Sequence, residues 1–345
     1  MSPIQFLLSK HIKRPKVIPD AGFTMTELLI ATVMSVLVIT PLLGFMVNML
    51  NTDKQEQSKA SSEQEIQAAM DYIARDLQQA VYIYNEAGID AIKSQLPSPT
   101  ATDRVPVLVF WKREFLNQVL TAADNNRDDT FVYSLVAYYL IQDNNTTWSN
   151  AARIARWQIR DGVKASGYTA TTTGGTTTST PNGVNCAGYS DRYISGYCPS
   201  TGYAPFSLEG VGTLDQKMNA WRRLSSYTTG TGSTATTTNV SYTDSPAVLV
   251  DYIDQTITGA PAAITCPTGT SRVAPASFNV STIPTGQMTS FYACIDTTNI
   301  TAQVFLRGNA LARMQQNNLS YSSAQANYFP EASVRVQGRG FLFTQ

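Results

Sequence analysis

The chain has 345 residues, with 25 Lys and Arg balanced by 25 Asp and Glu, and it is 43% hydrophobic but only 14% charged. That balance excludes a disordered polypeptide and an overall basic nucleic-acid binder. Charge well under the roughly 25% of an average soluble domain suits a secreted or surface-exposed protein.

The first 22 residues hold Lys10, Lys13, Arg14 and Lys16 against one acid, Asp20, which leaves the remainder near a net charge of −3. From Leu28 to Leu50 the chain is apolar, interrupted only by uncharged residues such as Thr32, Ser35, Thr40 and Asn48. At ~1.5 Å per residue this stretch crosses a hydrocarbon core of about 30 Å. A secretory signal would be shorter and end in small residues, and a soluble core helix rarely stays uncharged so long. The basic cluster before the span predicts a cytoplasmic N-terminus, with everything after residue 51 outside. Pro41 and Gly44 are expected to weaken or bend the helix locally. Glu27 stands at the head of this run, and a carboxylate there is costly unless something uses it.

Residues 51–85 read as an amphipathic continuation of the same helix. Ile66, Met70, Ile73, Leu77, Ala80 or Val81, and Tyr84 form one stripe. Glu63, Glu65, Asp71, Arg75 and Asp76 are expected on the opposite, charged face.

The rest, 86–345, predicts an α+β head in which the long helix lies on an antiparallel sheet. Strand candidates are 105–111, 131–142, 153–159, 247–253, 289–295, 300–307 and 333–343, and in 301–306 Ala302, Val304 and Leu306 alternate to one face. Two threonine-rich stretches, 169–180 and 228–239, read as mobile surface loops. They bracket a segment with Tyr189, Tyr193, Tyr197, Tyr203 and Trp221, so 166–240 reads as a threonine-rich insertion in the head. Those rings either pack around a disulfide or stack on sugars, and packing is the stronger expectation.

Cys186, Cys198, Cys266 and Cys294 all lie beyond the span, on the oxidising side. Four cysteines allow three pairings. Closeness in sequence favours Cys186–Cys198 and Cys266–Cys294. No Cys-x-x-Cys occurs, and the single histidine is His11, so zinc is not expected. Asp124, Asn126 and Asp128 have the alternating oxygen spacing of a calcium loop, but Asp129 replaces its glycine and no glutamate closes it. A solvated turn is the better reading, and no metal or cofactor is expected. A head without histidine offers no Ser–His or Cys–His pair, no nucleotide loop is present, and the carboxylates Glu209, Asp215, Asp251 and Asp254 carry no supporting motif. The chain is therefore not expected to be an enzyme.

The stretch "AGFTMTELLIATV" resembles the processing site of type IV prepilins and type II secretion pseudopilins. The resemblance implies a leader of 1–22, cleavage by a prepilin peptidase between Gly22 and Phe23, N-methylation of Phe23, and a membrane and assembly helix over 23–50. Glu27 matches the family's acidic residue, which is thought to pair with the N-terminal amine of a neighbouring subunit in the fibre. "AAMDYIARDLQQAVYIY" is similar to the end of the long helix in the pseudopilin J and minor pilin W branch. "YYLI", "RIARWQIRDGV", "VLVDYID" and "FYACIDTTNITAQVFLRGNA" together resemble cyanobacterial pseudopilins of the hormogonium polysaccharide secretion type. These resemblances imply a minor pilin or pseudopilin at or near a fibre tip, serving secretion or motility. Its partners would be prepilin peptidase, other pilins and an inner-membrane assembly platform, with a polysaccharide as cargo and without nucleic acid. The processed protein would sit in the plasma membrane with its head periplasmic, then in the fibre or on the cell surface. The alternative is a membrane-anchored or tip adhesin, a carbohydrate-binding module for which the helix is only an anchor.

Overall fold

The computed structural model describes residues 22–121, 127–173, 176–280, 288–340 and 342. The chain divides into two compact units, Met1–Gln55 and Glu56–Gln345. Helix α1, Met25–Gln78, begins in the first and ends in the second. In the first unit, every large apolar side chain from Phe23 to Leu50 is exposed. This helix is long and apolar enough to cross a membrane, and none of its most apolar window is buried. It runs through Pro41 and Gly44 without a break in assignment. The Thr40 hydroxyl donates to the Val36 carbonyl at 2.8 Å, just before the proline that cannot donate to the turn below.

In the second unit, α1 buries Ile66, Ala69, Met70, Ile73 and Leu77 along one stripe. The expected helix to residue 85 is corrected here: α1 stops at Gln78, and Ala80–Ile83 is a strand, β1. The run Ala-Val-Tyr-Ile is rich in β-branched and aromatic residues and is buried on both faces, which a sheet interior offers and an amphipathic helix does not. Asn85 then caps a short helix α2, Glu86–Ile92, its side chain accepting from the Gly88 N–H at 2.9 Å.

Strands β2 (Arg104–Thr121), β3 (Arg127–Ile141) and β4 (Ala152–Arg160) follow as antiparallel neighbours. β2 outruns the expected 105–111 because its partner β3 continues the ladder to Arg127. The connection after β4 carries a hairpin of β5 (Tyr168–Thr173) and β6 (Thr176–Pro181), the short strands β7 (Val184–Asn185) and β8 (Arg192–Tyr193), and helix α3 (Leu214–Asn219). A second hairpin pairs β9 (Ser226–Thr229) with β10 (Thr236–Asn239). Strand β11 (Ala247–Ile253) then returns to pair with β4, giving a five-stranded antiparallel sheet in the order β1-β2-β3-β4-β11. Strands β12 (Ser271–Val273), β13 (Phe291–Asp296), β14 (Thr301–Arg307) and β15 (Glu331–Gln337) form a second antiparallel sheet in that order. In β14, Ala302, Val304 and Leu306 are all buried, as their alternation predicts.

The threonine-rich stretches are hairpins rather than loops. Threonine is β-branched and favours the extended chain. Thr228 faces Thr237 across β9 and β10, their hydroxyl oxygens 3.0 Å apart. Gly230, at φ +82°, supplies the left-handed turn between them. This second hairpin is solvent-exposed almost throughout.

Period-two geometry gives the first sheet two covered faces. Tyr138 of β3 reaches α1, whereas Tyr139 points the other way and donates to the Pro97 carbonyl at 3.4 Å. On that second face, Trp111 meets Tyr203, Phe206 and Trp221 edge to face. Tyr203, Met218 and Trp221 belong to the 166–240 stretch, so part of it completes the main core instead of standing apart. The two sheets are tied at both ends. Ile253 bridges Gly308, and beyond β15 the N–H groups of Arg339 and Gly340 donate to the Gln78 and Ala80 carbonyls. β15 ends at Gln337, short of the described part of the expected 333–343, of which residues 341 and 343 lie outside the described residues.

Candidate functional site

Gly22, Phe23 and Thr24 precede the first turn of α1. Thr24 acts as its cap: its carbonyl accepts from the Glu27 and Leu28 N–H groups at 3.0 and 3.1 Å, and its hydroxyl also accepts from the Glu27 N–H at 3.3 Å. The same hydroxyl lies 3.5 Å from Glu27 Oε2. Glu27 thus occupies the third helical position, where the positive end of the helix dipole favours a carboxylate. It is exposed, and among the described residues no Lys or Arg pairs with it. A Cβ added at Gly22 would meet nothing within 4 Å among the described residues. Phe23 is 81% exposed.

In the second unit, Asp76 departs from the charged face expected for it. It lies three residues after Ile73 and one before Leu77, on the buried stripe, and is only 7% exposed. Its carboxylate accepts from Lys112 Nζ at 2.9 Å, Tyr138 Oη at 2.8 Å and Arg156 Nε at 2.6 Å, with Arg156 Nη2 at 3.3 Å. One helix residue therefore gathers donors from β2, β3 and β4. Burial pushes its pKa up, but the hydrogen bond and charge of Arg156, with those of Lys112, outweigh this and hold it below the usual carboxylate range. The Tyr138 hydroxyl is pushed far up by burial and by the Asp76 charge, so it stays a neutral donor. A second buried pair joins Arg307 Nε to Asp254 at 2.8 Å, with Thr289 accepting from the same guanidinium at 2.7 Å.

A groove of about 770 Å³ opens between α1 and the edge of the first sheet. Its walls are α1 from Glu65 to Tyr72, the 147–149 turn, and β11 from Val248 to Tyr252. Tyr72 is 40% and Trp148 39% exposed. Asp251 accepts from the Ser149 N–H and hydroxyl at 2.9 and 2.8 Å and from the Tyr252 N–H at 2.8 Å. Glu65 pairs with Arg313, whose guanidinium lies 4.1 Å over the Tyr252 ring. Tyr252 has φ +57°, a conformation that costs a bulky residue on the order of 1–3 kcal/mol and persists only when its surroundings enforce it. The stacked Arg313 and a 2.7 Å bond from the Asn309 N–H to the Tyr252 carbonyl do so.

The other residues singled out by sequence fall as follows. Disulfides join Cys186 to Cys198 and Cys266 to Cys294. Asp124 and Asn126 lie outside the described residues, while Asp128 is an exposed position of β3 opposite Leu120. Among the described residues no cluster of His, Cys, Asp and Glu could hold a metal. Tyr193, Tyr203 and Trp221 are buried. Tyr189 packs edge-on against Tyr193 and donates to the Ser200 and Tyr203 carbonyls, so these rings pack rather than face a ligand. Asp215, considered as a catalytic carboxylate, instead accepts the Tyr82 hydroxyl at 2.9 Å. Sequence reasoning missed Asp76 and the groove. The step of three from Ile73 marks the first; the second joins residues more than 170 positions apart and leaves no local signal.

No family model matches the chain, and comparison with curated proteins and with solved structures finds no match to it.

Proposed function

We propose that this chain is a minor pilin or pseudopilin, a structural subunit that is processed after insertion and drawn into a fibre. One observation carries the reading: the apolar, exposed stretch that follows Gly22-Phe23 and Glu27 belongs to the same helix whose later turns are buried in a folded α+β head. An exposed apolar surface of this extent needs a lipid or protein partner. A membrane supplies it before assembly and neighbouring helices supply it afterwards. Gly22 is consistent with the account, since no packing among the described residues calls for a glycine there.

In this reading the peptidase cuts between Gly22 and Phe23 and the new Phe23 amine is methylated. Cleavage leaves a cationic amine four residues before Glu27. In a fibre, Glu27 pairs with the amine of an adjacent subunit, which offsets the burial of both charges and fixes axial register. The head sits outside the plasma membrane, where both disulfides are stable. Its size suits a subunit used once or a few times near a tip, in a machine that secretes a polymer such as a polysaccharide or drives motility. Assembly energy would come from a separate ATPase, consistent with the lack of a nucleotide loop in this sequence.

The exposed Tyr72 and Trp148 beside the groove favour a second reading, a tip adhesin or binding module. Phenotype separates the two. Deleting an assembly subunit abolishes fibres, whereas deleting an adhesin leaves fibres intact and abolishes attachment. The direct test of the first reading is Glu27→Ala. The account expects normal cleavage and a loss of incorporation into sheared fibres of tenfold or more, the order of a buried ion pair broken on one side. Normal incorporation would refute it.

A further inference from the structure

The groove between α1 and β11 brings carboxylates and exposed aromatic rings together. Its walls include two carboxylates, Glu65 and Asp251, and no Lys or Arg. Three aromatic rings, Tyr72, Trp148 and Tyr252, share it. The two carboxylates differ in state. Glu65 is neutralised by Arg313. Asp251 is held only by neutral donors, from Ser149 and from its own strand. These bonds fix its position, and among the described residues no Lys or Arg forms an ion pair with it.

Aromatic faces attract cations, most strongly guanidinium. The protein uses that attraction twice at this site. Arg313 lies 4.1 Å over Tyr252, and Arg156 lies 5.7 Å from the Tyr72 ring centre. Tyr72 and Trp148 are the exposed rings here, and of the two only Trp148 has no such partner among the described residues. β11 is the last strand of its sheet, so backbone pairing with an incoming strand is the obvious alternative mode. Its ladder is broken between Val248 and Val250 and again between Val250 and Ile253. Such irregularities, with a charge on the strand, are devices that block edge pairing. Recognition must then come from side chains.

We propose that this groove docks a basic side chain of a partner protein, an arginine or lysine placed against Asp251 and stacked on Trp148. The inference does not depend on fibre incorporation, because the groove lies wholly within Glu56–Gln345.

The chain contains four tryptophans, and Trp111, Trp157 and Trp221 are buried, so Trp148 reports on the groove by its fluorescence. The full chain in detergent micelles is titrated with acetyl-Gly-Arg-Gly-amide, its Lys and Gln counterparts, and cellohexaose. A saturable change with the Arg and Lys peptides, absent with Gln and cellohexaose and weakened by salt, is expected. Trp148→Phe should remove the signal. Asp251→Asn should weaken binding by about fivefold or more, the scale of one cation contact. Ala68→Arg, on an exposed position of the same wall, should do so without removing any existing bond, which covers the case in which Asp251→Asn disturbs the 147–149 turn. An equal response to the Gln peptide, a response to cellohexaose alone, indifference to Ala68→Arg, or no response to any probe up to about 10 mM would overturn the proposal.

Discussion

Asp76, in the last turn of α1, accepts a 2.6 Å hydrogen bond from Arg156 Nε of β4. With Lys112 and Tyr138 on the same carboxylate, this contact fixes helix and sheet in one rotational register. An apolar stripe alone tolerates sliding and rolling by a few degrees. A carboxylate that must meet donors from three strands does not.

Removing it leaves the buried Lys112 and the partly buried Arg156 without their carboxylate. Asp76→Ala should therefore cost about 3–5 kcal/mol, the cost of breaking a buried pair on one side. Thermal or urea unfolding of the full chain in detergent measures this. Asp71→Ala, an exposed carboxylate on the same helix, should change stability by less than about 0.5 kcal/mol.

The same carboxylate sets an acid limit. Its folded pKa lies below the unfolded value near 3.8, so its contribution is fully present above that value and is lost as pH falls through the folded one. Stability should decline as pH drops below about 4. In Asp76→Asn the decline should be shallower, although the variant starts less stable. Urea titrations at several pH values between neutrality and strong acid give both slopes.

The long apolar helix and the strands around Leu135–Ile141 and Ala302–Leu306 are legible because each has a clean period or an unbroken apolar run. Asp76 is hidden because residue type points a charge to water, while its position on the apolar stripe points it to the sheet, where Lys112, Tyr138 and Arg156 meet it. The threonine hairpins are not legible in the sequence because low complexity hides a β propensity that shows only when two such runs pair, as Thr228 does with Thr237. Nothing local foretells that Trp221 would cover Trp111, or that Asp251 and Glu65 would share a groove. Those relations arise when β11 returns to β4 after more than 80 residues of intervening chain.

The two disulfides should differ in weight. They close 12 and 28 residues, and loop-closure entropy gives about 2.8 and 3.6 kcal/mol on a chain model. Replacing Cys266 and Cys294 by Ala should lower the unfolding free energy more than replacing Cys186 and Cys198. Cys294 sits inside β13, so its loss also touches the second sheet. Paired denaturation curves of the two double variants rank them.

Gly338 marks a close approach of chain segments. A Cβ there would lie 2.5 Å from the Ala80 carbonyl oxygen and 2.7 Å from Ile300, and the first is backbone that cannot rotate away. Gly338→Ala should destabilise by about 1–3 kcal/mol, the usual cost of overpacking. Hydrogen exchange should show the loss at β1 and the end of β15 before it reaches β3.

The central claim is that Glu27 stands ahead of an apolar helix to meet an amine made by cleavage. The measurement that tests it most directly is the N-terminal mass of the protein recovered from native membranes and from sheared surface fibres. The account predicts a chain that begins at N-methylated Phe23 in both fractions. A chain that retains residues 1–22 would contradict it, because Glu27 would then have no amine beside it and the helix would be a plain anchor.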